Sequence, residues 1–222
     1  MTQLVVPANI DKYERIYRQG YDKKYPNLDL VRLEGWYFGK KPGRLLDYGA
    51  GTGVNALHMA ECGYGVIAVD AAKESVALMK SKLKNMAAAQ WVSPDATELP
   101  FENDGFDYIV CMSVLSLLET KERISTLVGE FFRVLKPGGK MIVDINGPDS
   151  GFASQGTFVD EDTFEYTLRP DHDKPLRCYC PKTKEAFAKL FSDFIIDDLG
   201  HVSFQYSGQD SYEFIACVSK AA

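Results

Sequence analysis

Long apolar runs, dense basic stretches and a regular cysteine framework are all missing from this chain. Its apolar runs fall short of what a bilayer demands, and Met1-Thr2-Gln3-Leu4-Val5-Val6-Pro7 has neither the basic start nor the apolar core of a secretory leader. A cytoplasmic protein with no membrane partner is expected. Acids outnumber bases by 31 to 25, and no Lys/Arg run is interleaved with aromatics, so nucleic acid is not an expected partner. Five cysteines are an odd number, mostly set in apolar runs, and read as reduced, buried thiols. The Cys178-Tyr179-Cys180 pair, flanked by His172 and His201, lacks the C-x-x-C spacing usual for zinc, and no metal is expected. Of the three histidines, His58 and His201 lie nearest regular structure, where most histidines are packed or hydrogen-bonded; neither is read as catalytic.

What is present is organised around Leu45-Leu46-Asp47-Tyr48-Gly49-Ala50-Gly51-Thr52-Gly53. A short apolar strand runs into a glycine turn, and the turn runs into a helix beginning at Val54. Glycines at alternate positions let the backbone turn sharply and let a ligand approach the main chain. Free N–H groups at the helix start favour an electron-rich or anionic group. Val54 stands where the dinucleotide fingerprint G-x-G-x-x-G needs its third glycine. Further on, Gly65-Val66-Ile67-Ala68-Val69-Asp70 ends on an acid about 20 residues past the first glycine, where a ribose-binding carboxylate belongs.

Strands and helices then alternate. A helix is expected over Ala72 to Lys84, a strand at Gln90-Trp91-Val92-Ser93, another from Phe106 to Met112, a helix carrying Leu117 to Leu135, and a fifth strand from Lys140 to Ile145. Such alternation implies a mainly parallel sheet covered on both faces. Asn146 to Pro181 breaks the rhythm, with short strands expected at Thr163–Arg169 and Leu176–Cys180, and sits where insertions shape substrate pockets. A helix from Lys182 to Leu190 and an antiparallel hairpin close the chain. With 222 residues, 45% of them hydrophobic, the chain reads as one domain. Its expected parts are a cover segment over residues 1–43, a core over 44–145, a pocket insertion over 146–181 and the final helix and hairpin over 182–222.

Ahead of the first strand, Tyr13, Tyr17, Tyr21 and Tyr25 recur every fourth residue, a stripe on one helix face. Tyr13 and Tyr17 read as packing residues. Tyr21 and Tyr25, beside Asp22, Pro26 and Asn27 where the helix loosens, read as site candidates. Tyr37 and Lys41 form a Y-x-x-x-K pair like that of short-chain dehydrogenases, but it precedes the glycine turn and is taken as chance.

The ordered set Leu45 to Gly53, Val69-Asp70, Asp95-Ala96 with Leu99-Pro100-Phe101, Phe106-Asp107 and Leu135-Lys136-Pro137-Gly138-Gly139 resembles the class I S-adenosylmethionine-dependent methyltransferases, in their small-molecule form. The resemblance implies an α/β, Rossmann-like three-layer sandwich whose mainly parallel seven-stranded sheet has an antiparallel last strand. It further implies S-adenosylmethionine across the first strands' C-terminal ends. Position by position, Asp47 would help hold the methionine amino group, and Gly49, Ala50 and Gly51 would supply backbone beside the methionine and ribose. Asp70, with Ala71 beside it, would take the ribose hydroxyls; Asp95 and Ala96 would meet adenine, and Met112 would line the pocket. Ser113, Ser116 and Asn146, with Tyr21, Tyr25 and Arg32 from the cover, are the acceptor or lid candidates. Cys111-Met112-Ser113-Val114 departs from the Asp/Asn-Pro-Pro-aromatic motif of DNA adenine methylation, and Ser116 replaces a histidine found in many small-molecule members. The expected activity is methyl transfer to an oxygen or nitrogen of a small molecule, chiefly by proximity. The alternatives are a nicotinamide-dependent oxidoreductase and a non-catalytic binding module of the same fold.

Overall fold

The computed structural model describes residues 7–39, 41–93, 96–167, 175–206 and 209–222, with the side chains of residues 7, 8, 206 and 209 excepted. Strand β1 (Arg44–Tyr48) is buried at every position after the first, Asp47 included, as a central parallel strand covered on both faces is. Around it lie β2 (Gly65–Asp70), β3 (Ala88–Trp91), β4 (Phe106–Cys111) and β5 (Leu135–Asn146). Strands β6 (Thr157–Phe158), β7 (Thr163–Tyr166) and β8 (Leu176–Tyr179) pair with one another in a separate antiparallel sheet. The long hairpin β9 (Ile195–Tyr206) and β10 (Gln209–Ser219) completes the main sheet, whose order is β3-β2-β1-β4-β5-β10-β9. The pairs among β1 to β5 are parallel, and β10 runs antiparallel to both its neighbours. The expected α/β architecture with an antiparallel last strand is what the chain adopts. Strand order reverses between β1 and β4, and ligands of open α/β sheets bind outside the C-terminal strand ends at such a point.

Helix α1 (Pro7–Arg18) and α2 (Leu28–Leu33) precede the sheet; α3 (Val54–Glu61) and α4 (Lys73–Leu83) cross between its first strands. One face of the sheet packs Leu45, Val66, Ala68, Val110 and Ile142 against Leu30, Met59 and Met79 from α2, α3 and α4. The other packs Leu46, Ile109, Val143 and Phe214 under α5 (Lys121–Val134), whose Ile124, Leu127, Val128 and Phe131 follow helical spacing.

Several boundaries differ from the sequence reading, among them the third strand, expected over 90–93 and found at Ala88–Trp91, and the helix expected over 182–190, found at Lys184–Ala188. The helix expected to carry Leu117 through Leu135 is two elements: a 3-10 turn over Leu115–Leu118, then α5. Glu119 breaks them apart at φ +66°, and the Thr120 hydroxyl accepts the Arg123 N–H at 3.3 Å to start the helix afresh. Strand β5 begins at Leu135, which pairs with Phe106 across the bulge at Pro137-Gly138-Gly139. The tyrosine stripe leaves helical geometry after Arg18, with Gly20 at φ +91°, so Tyr21 and Tyr25 stand beyond the helix as expected. Arg169, the expected end of the first insertion strand, and Ser207-Gly208 of the hairpin turn lie outside the described residues.

Candidate functional site

The glycine turn is held from two directions. The Gly49 and Ala50 N–H groups donate to the Val69 carbonyl at 2.9 and 3.0 Å, pinning the turn to the end of β2. One Asp70 oxygen accepts the Gly51 N–H at 2.9 Å, and the other accepts Ala72 N–H at 2.8 Å. Gly49 (φ +71°) and Gly51 (φ +56°) use left-handed backbone that only glycine adopts without strain. A Cβ added at Gly49 would stand 2.3 Å from Val114 Cγ2, and one at Gly51 would stand 3.0 Å from the Tyr17 hydroxyl. The turn thus lies directly beneath Tyr17 and Val114.

Three carboxylates occupy the same face of the sheet at this end. Asp47 is 1% exposed, and its Oδ2 has no hydrogen-bond partner. Burial, then the Asp70 charge, push its pKa up to about 7, against the pull of the Ala56 amide. Burial likewise raises Asp70, although two backbone amides favour its ionised form. Asp144, near the end of β5, is also 1% exposed; its Oδ1 accepts the Ser113 N–H, and its Oδ2 is partnerless. Burial and the neighbouring Glu213 push it well above the usual carboxylate range. A buried carboxylate oxygen without a partner is costly unless a donor arrives. The partnerless oxygen of Asp47 therefore fits a donor such as an ammonium group, and the bare glycine backbone fits close approach.

The N-terminal segment is tied over this end. Glu14 accepts N–H groups from Lys73 and Glu74 at the start of α4, and Asn9 donates to the Leu117 carbonyl at 2.6 Å. Lys82 donates to Asp22 and to the Lys23 carbonyl, and the Asn27 N–H donates to the Asn55 side chain at 2.9 Å. Tyr13, Tyr17 and Tyr21 continue as a ladder with ring centroids 6.0 and 6.2 Å apart. From the other side, Leu117 packs on the small sheet's core of Ala153, Phe164, Leu176, Cys178 and Cys180.

The structure brings Asp47, Gly49, Ala50, Gly51, Asp70 and Met112 together. Ala71 lies at the end of β2, its carbonyl accepting from the Trp91 indole at 2.8 Å, and Ala96 packs at the edge of the opposite core cluster. Asp95 lies outside the described residues. Ser113 is exposed at φ +61° beside the turn, and Ser116 is buried, its hydroxyl accepting the Asn146 N–H at 3.1 Å. Tyr21 is half-exposed against Tyr17, whereas Tyr25 is 79% exposed. Arg32 bonds Asp29 at 3.2 Å and lines a groove of about 200 Å³ with Trp36 and Asp198, toward β9 and away from the glycine turn. Tyr17, Val114 and Asp144 were not singled out by the sequence. Asp144 had a signal, a lone acid within an otherwise apolar strand; Tyr17 and Val114 had none.

The fold is shared with a solved S-adenosylmethionine-dependent methyltransferase of Methanosarcina mazei, at a TM-score of 0.67 and 20% identity, covering 81% of this chain and 93% of that one. Residues 45–139 match the methyltransferase domain family. The chain is 32% identical over 146 residues to YqeM of Bacillus subtilis, named as a methyltransferase, covering 61% of this chain and 59% of that protein. It is 32% identical over 101 residues to demethylmenaquinone methyltransferase of Clavibacter sepedonicus, covering 45% of this chain and 40% of the relative. The chain thus spans roughly half the length of these relatives. In structure it resembles 1,6-didemethyltoxoflavin-N1-methyltransferase of Burkholderia thailandensis, solved with S-adenosylhomocysteine, at a TM-score of 0.67 and 17% identity, covering 100% of this chain and 93% of that one. At that identity the likeness speaks for the fold. Among the described residues, no helix is long and apolar enough to cross a membrane.

Proposed function

We propose that this protein transfers the methyl group of S-adenosylmethionine to an oxygen or nitrogen of a small molecule. The observation that carries the proposal is the partnerless, buried Asp47 oxygen beside the glycine turn, with Asp70 fixed at the end of the next strand. Asp47 would hold the cofactor's amino group, the Gly49 to Gly51 backbone its methionine and ribose portion, and Asp70 the ribose hydroxyls through its remaining lone pairs. Asp95 and Ala96 would meet adenine. Residues 44–145 would form the cofactor core, residues 1–43 its cover and residues 146–181 the acceptor side, with 182–222 completing the sheet. The net charge of −6 supports a small acceptor over a nucleic acid.

When bound, the cofactor supplies a methyl group on a sulfonium whose departure needs no proton. What falls to the chain is to position and to dry. The cover ties residues 9 to 27 across the strand ends, excluding water, while Met112 and Val114 border the space where the acceptor meets the methyl group. Well-oriented approach can supply roughly 7–11 kcal/mol of barrier lowering. Calorimetry with S-adenosylmethionine, S-adenosylhomocysteine and NAD tests the proposal, followed by transfer of labelled methyl to an acceptor panel. Binding of the first two with methylated product supports it. NAD binding alone would point to an oxidoreductase, and cofactor binding without product from any acceptor to a non-catalytic module.

A further inference from the structure

Beside the proposed cofactor position, the same face of the sheet carries a further acidic group that the proposed cofactor contacts leave unused. In the β5–β10 ladder Asp144 lies opposite Ile215, and Asn146 lies opposite Glu213. Residues opposite each other share a face, so Asp144, Asn146 and Glu213 project together. The Asp144–Glu213 diagonal spans about 7–8 Å between Cα atoms, a gap that a small ligand group can bridge. Met112, the residue after strand β4, packs in the core cluster on this face, and β4 lies between β5 with Asp144 and β1 with Asp47. The site therefore stands one strand further from the glycine turn, where a methyl acceptor would lie.

Asp144 is the unexplained member. It is 1% exposed, one oxygen is taken by the Ser113 amide, and the other has no partner. The groups facing it are Glu213 from β10, Asp29 at the start of α2 and Lys23 from the segment before it. Glu213 in turn faces Asp29 and Lys23, and receives the Ser211 hydroxyl at 3.4 Å. Arg32 pairs with Asp29 at 3.2 Å, which leaves Lys23 as the cation facing both Asp144 and Glu213. Burying acids together is costly unless a cation joins them.

We propose that Asp144 and Glu213, with Asn146 beside them, form the acceptor subsite, and that it recognises an acceptor through an ammonium group. The proposal rests on the methyl-transfer reading and narrows its acceptor to amine-bearing small molecules. An ammonium between the two carboxyl groups donates to the free oxygen of Asp144 and to Glu213, while the Asn146 amide oxygen can accept a hydrogen bond from its third N–H. Phenols and alcohols leave the charges uncompensated, and carboxylates add to them.

The test uses the full chain saturated with S-adenosylhomocysteine, whose own amino group occupies the Asp47 position, and titrates benzylamine, benzyl alcohol and benzoate at pH 7 by calorimetry. Benzylamine should bind at least fivefold more tightly than benzyl alcohol, with benzoate weakest. Asp144→Asn and Glu213→Gln should each cut that preference below twofold while S-adenosylhomocysteine affinity stays within threefold. Glu213 is only partly buried, so Glu213→Gln remains informative should Asp144→Asn fail to fold by circular dichroism. Equal binding of the three probes, or an amine preference that survives Glu213→Gln, overturns the proposal. Failure of S-adenosylhomocysteine to bind, with the amine preference intact and lost in Glu213→Gln, would instead overturn the methyl-transfer reading and leave the amine site standing.

Discussion

Replacing Asp47 by asparagine should make the ligand-free protein more stable and the cofactor bind less tightly. In the folded chain burial and the nearby Asp70 charge lift this carboxyl from the usual 3.8 to about 7. Below pH 4 the group is protonated in both folded and unfolded chains and contributes nothing. Between pH 4 and 7 the unfolded chain is ionised while the folded one keeps its proton, so stability falls as pH rises. Above pH 7 both are ionised and the full cost is present. At about 1.36 kcal/mol per pH unit, that cost is of the order of 4 kcal/mol.

Asparagine is nearly isosteric and its amide oxygen can still accept the Ala56 N–H, so roughly 2–4 kcal/mol should be recovered at pH 8 and little at pH 4. For a chain of this length that is a rise of roughly 5–10 °C in Tm. Thermal melts of both proteins at the two pH values measure it. Calorimetry of S-adenosylhomocysteine should show affinity lower by about 10- to 100-fold, the loss of a charge-assisted hydrogen bond. In buffers of different ionisation enthalpy near pH 6, wild type should release a fraction of a proton on binding that the variant does not. Equal stability gains at pH 4 and pH 8, or no gain at either, would refute this account of Asp47.

Other positions carry simpler expectations. Asp70→Ala should weaken cofactor binding by about 2–4 kcal/mol while the domain still folds, because it removes ribose contacts as well as the tie to the Gly51 N–H; wild-type affinity by calorimetry would remove Asp70 from the site. Gly49→Ala should cost more than the ~1–2 kcal/mol of left-handed backbone strain, because its new Cβ meets Val114, and adding Val114→Ala should recover part of that loss in denaturant titrations. Strict additivity of the two changes would contradict the contact. Glu14→Ala should destabilise by about 0.5–2 kcal/mol by uncapping α4, and should speed hydrogen exchange in α1. In the wild type, cofactor should slow exchange across residues 15–35; unchanged protection would count against a covering role.

The turn and its acid were legible because their chemistry is local: glycine at φ > 0 and a carboxylate at a strand end leave fixed spacings. The parallel sheet followed from alternation alone, and so did the expectation that 146–181 interrupts it. What the sequence hid depends on partners far along the chain. Tyr17 belongs to a helical stripe whose periodicity reports packing, and nothing local shows that its hydroxyl lies over Gly51. Asp144 stands out within its strand, but its meaning comes from Glu213 on a strand that pairs only after the hairpin has formed. The break at Glu119 did leave a local mark, the polar run 119–123 with Thr120 as helix cap, which a reading by apolar spacing from Leu117 to Leu135 passes over.

Whether a histidine serves as base bears on how methyl transfer would be accelerated. His201 lies on β9 opposite Phe214, and its ring stacks on Tyr212 at 5.1 Å. Tyr212 packs edge-on against Phe214, which belongs to the core beneath α5. That places the imidazole on the face of the sheet opposite to Asp47, Asp144 and Glu213, with the sheet between it and the acceptor. His58 sits within α3, its Nε2 3.7 Å from the exposed Cys62 thiol one turn on, toward the helix end away from the glycine turn. His172 lies outside the described residues. Neither placed imidazole can reach a proton on an acceptor held beside Met112 without leaving its own layer. His58→Ala and His201→Ala should therefore each leave turnover within about tenfold of wild type, against the 10²–10⁴ usually lost with a general base. A larger fall in kcat for His201→Ala, with cofactor affinity and melting temperature unchanged, would mean that the acceptor is held on the opposite face of the sheet, and one for His58→Ala that it reaches the far end of α3.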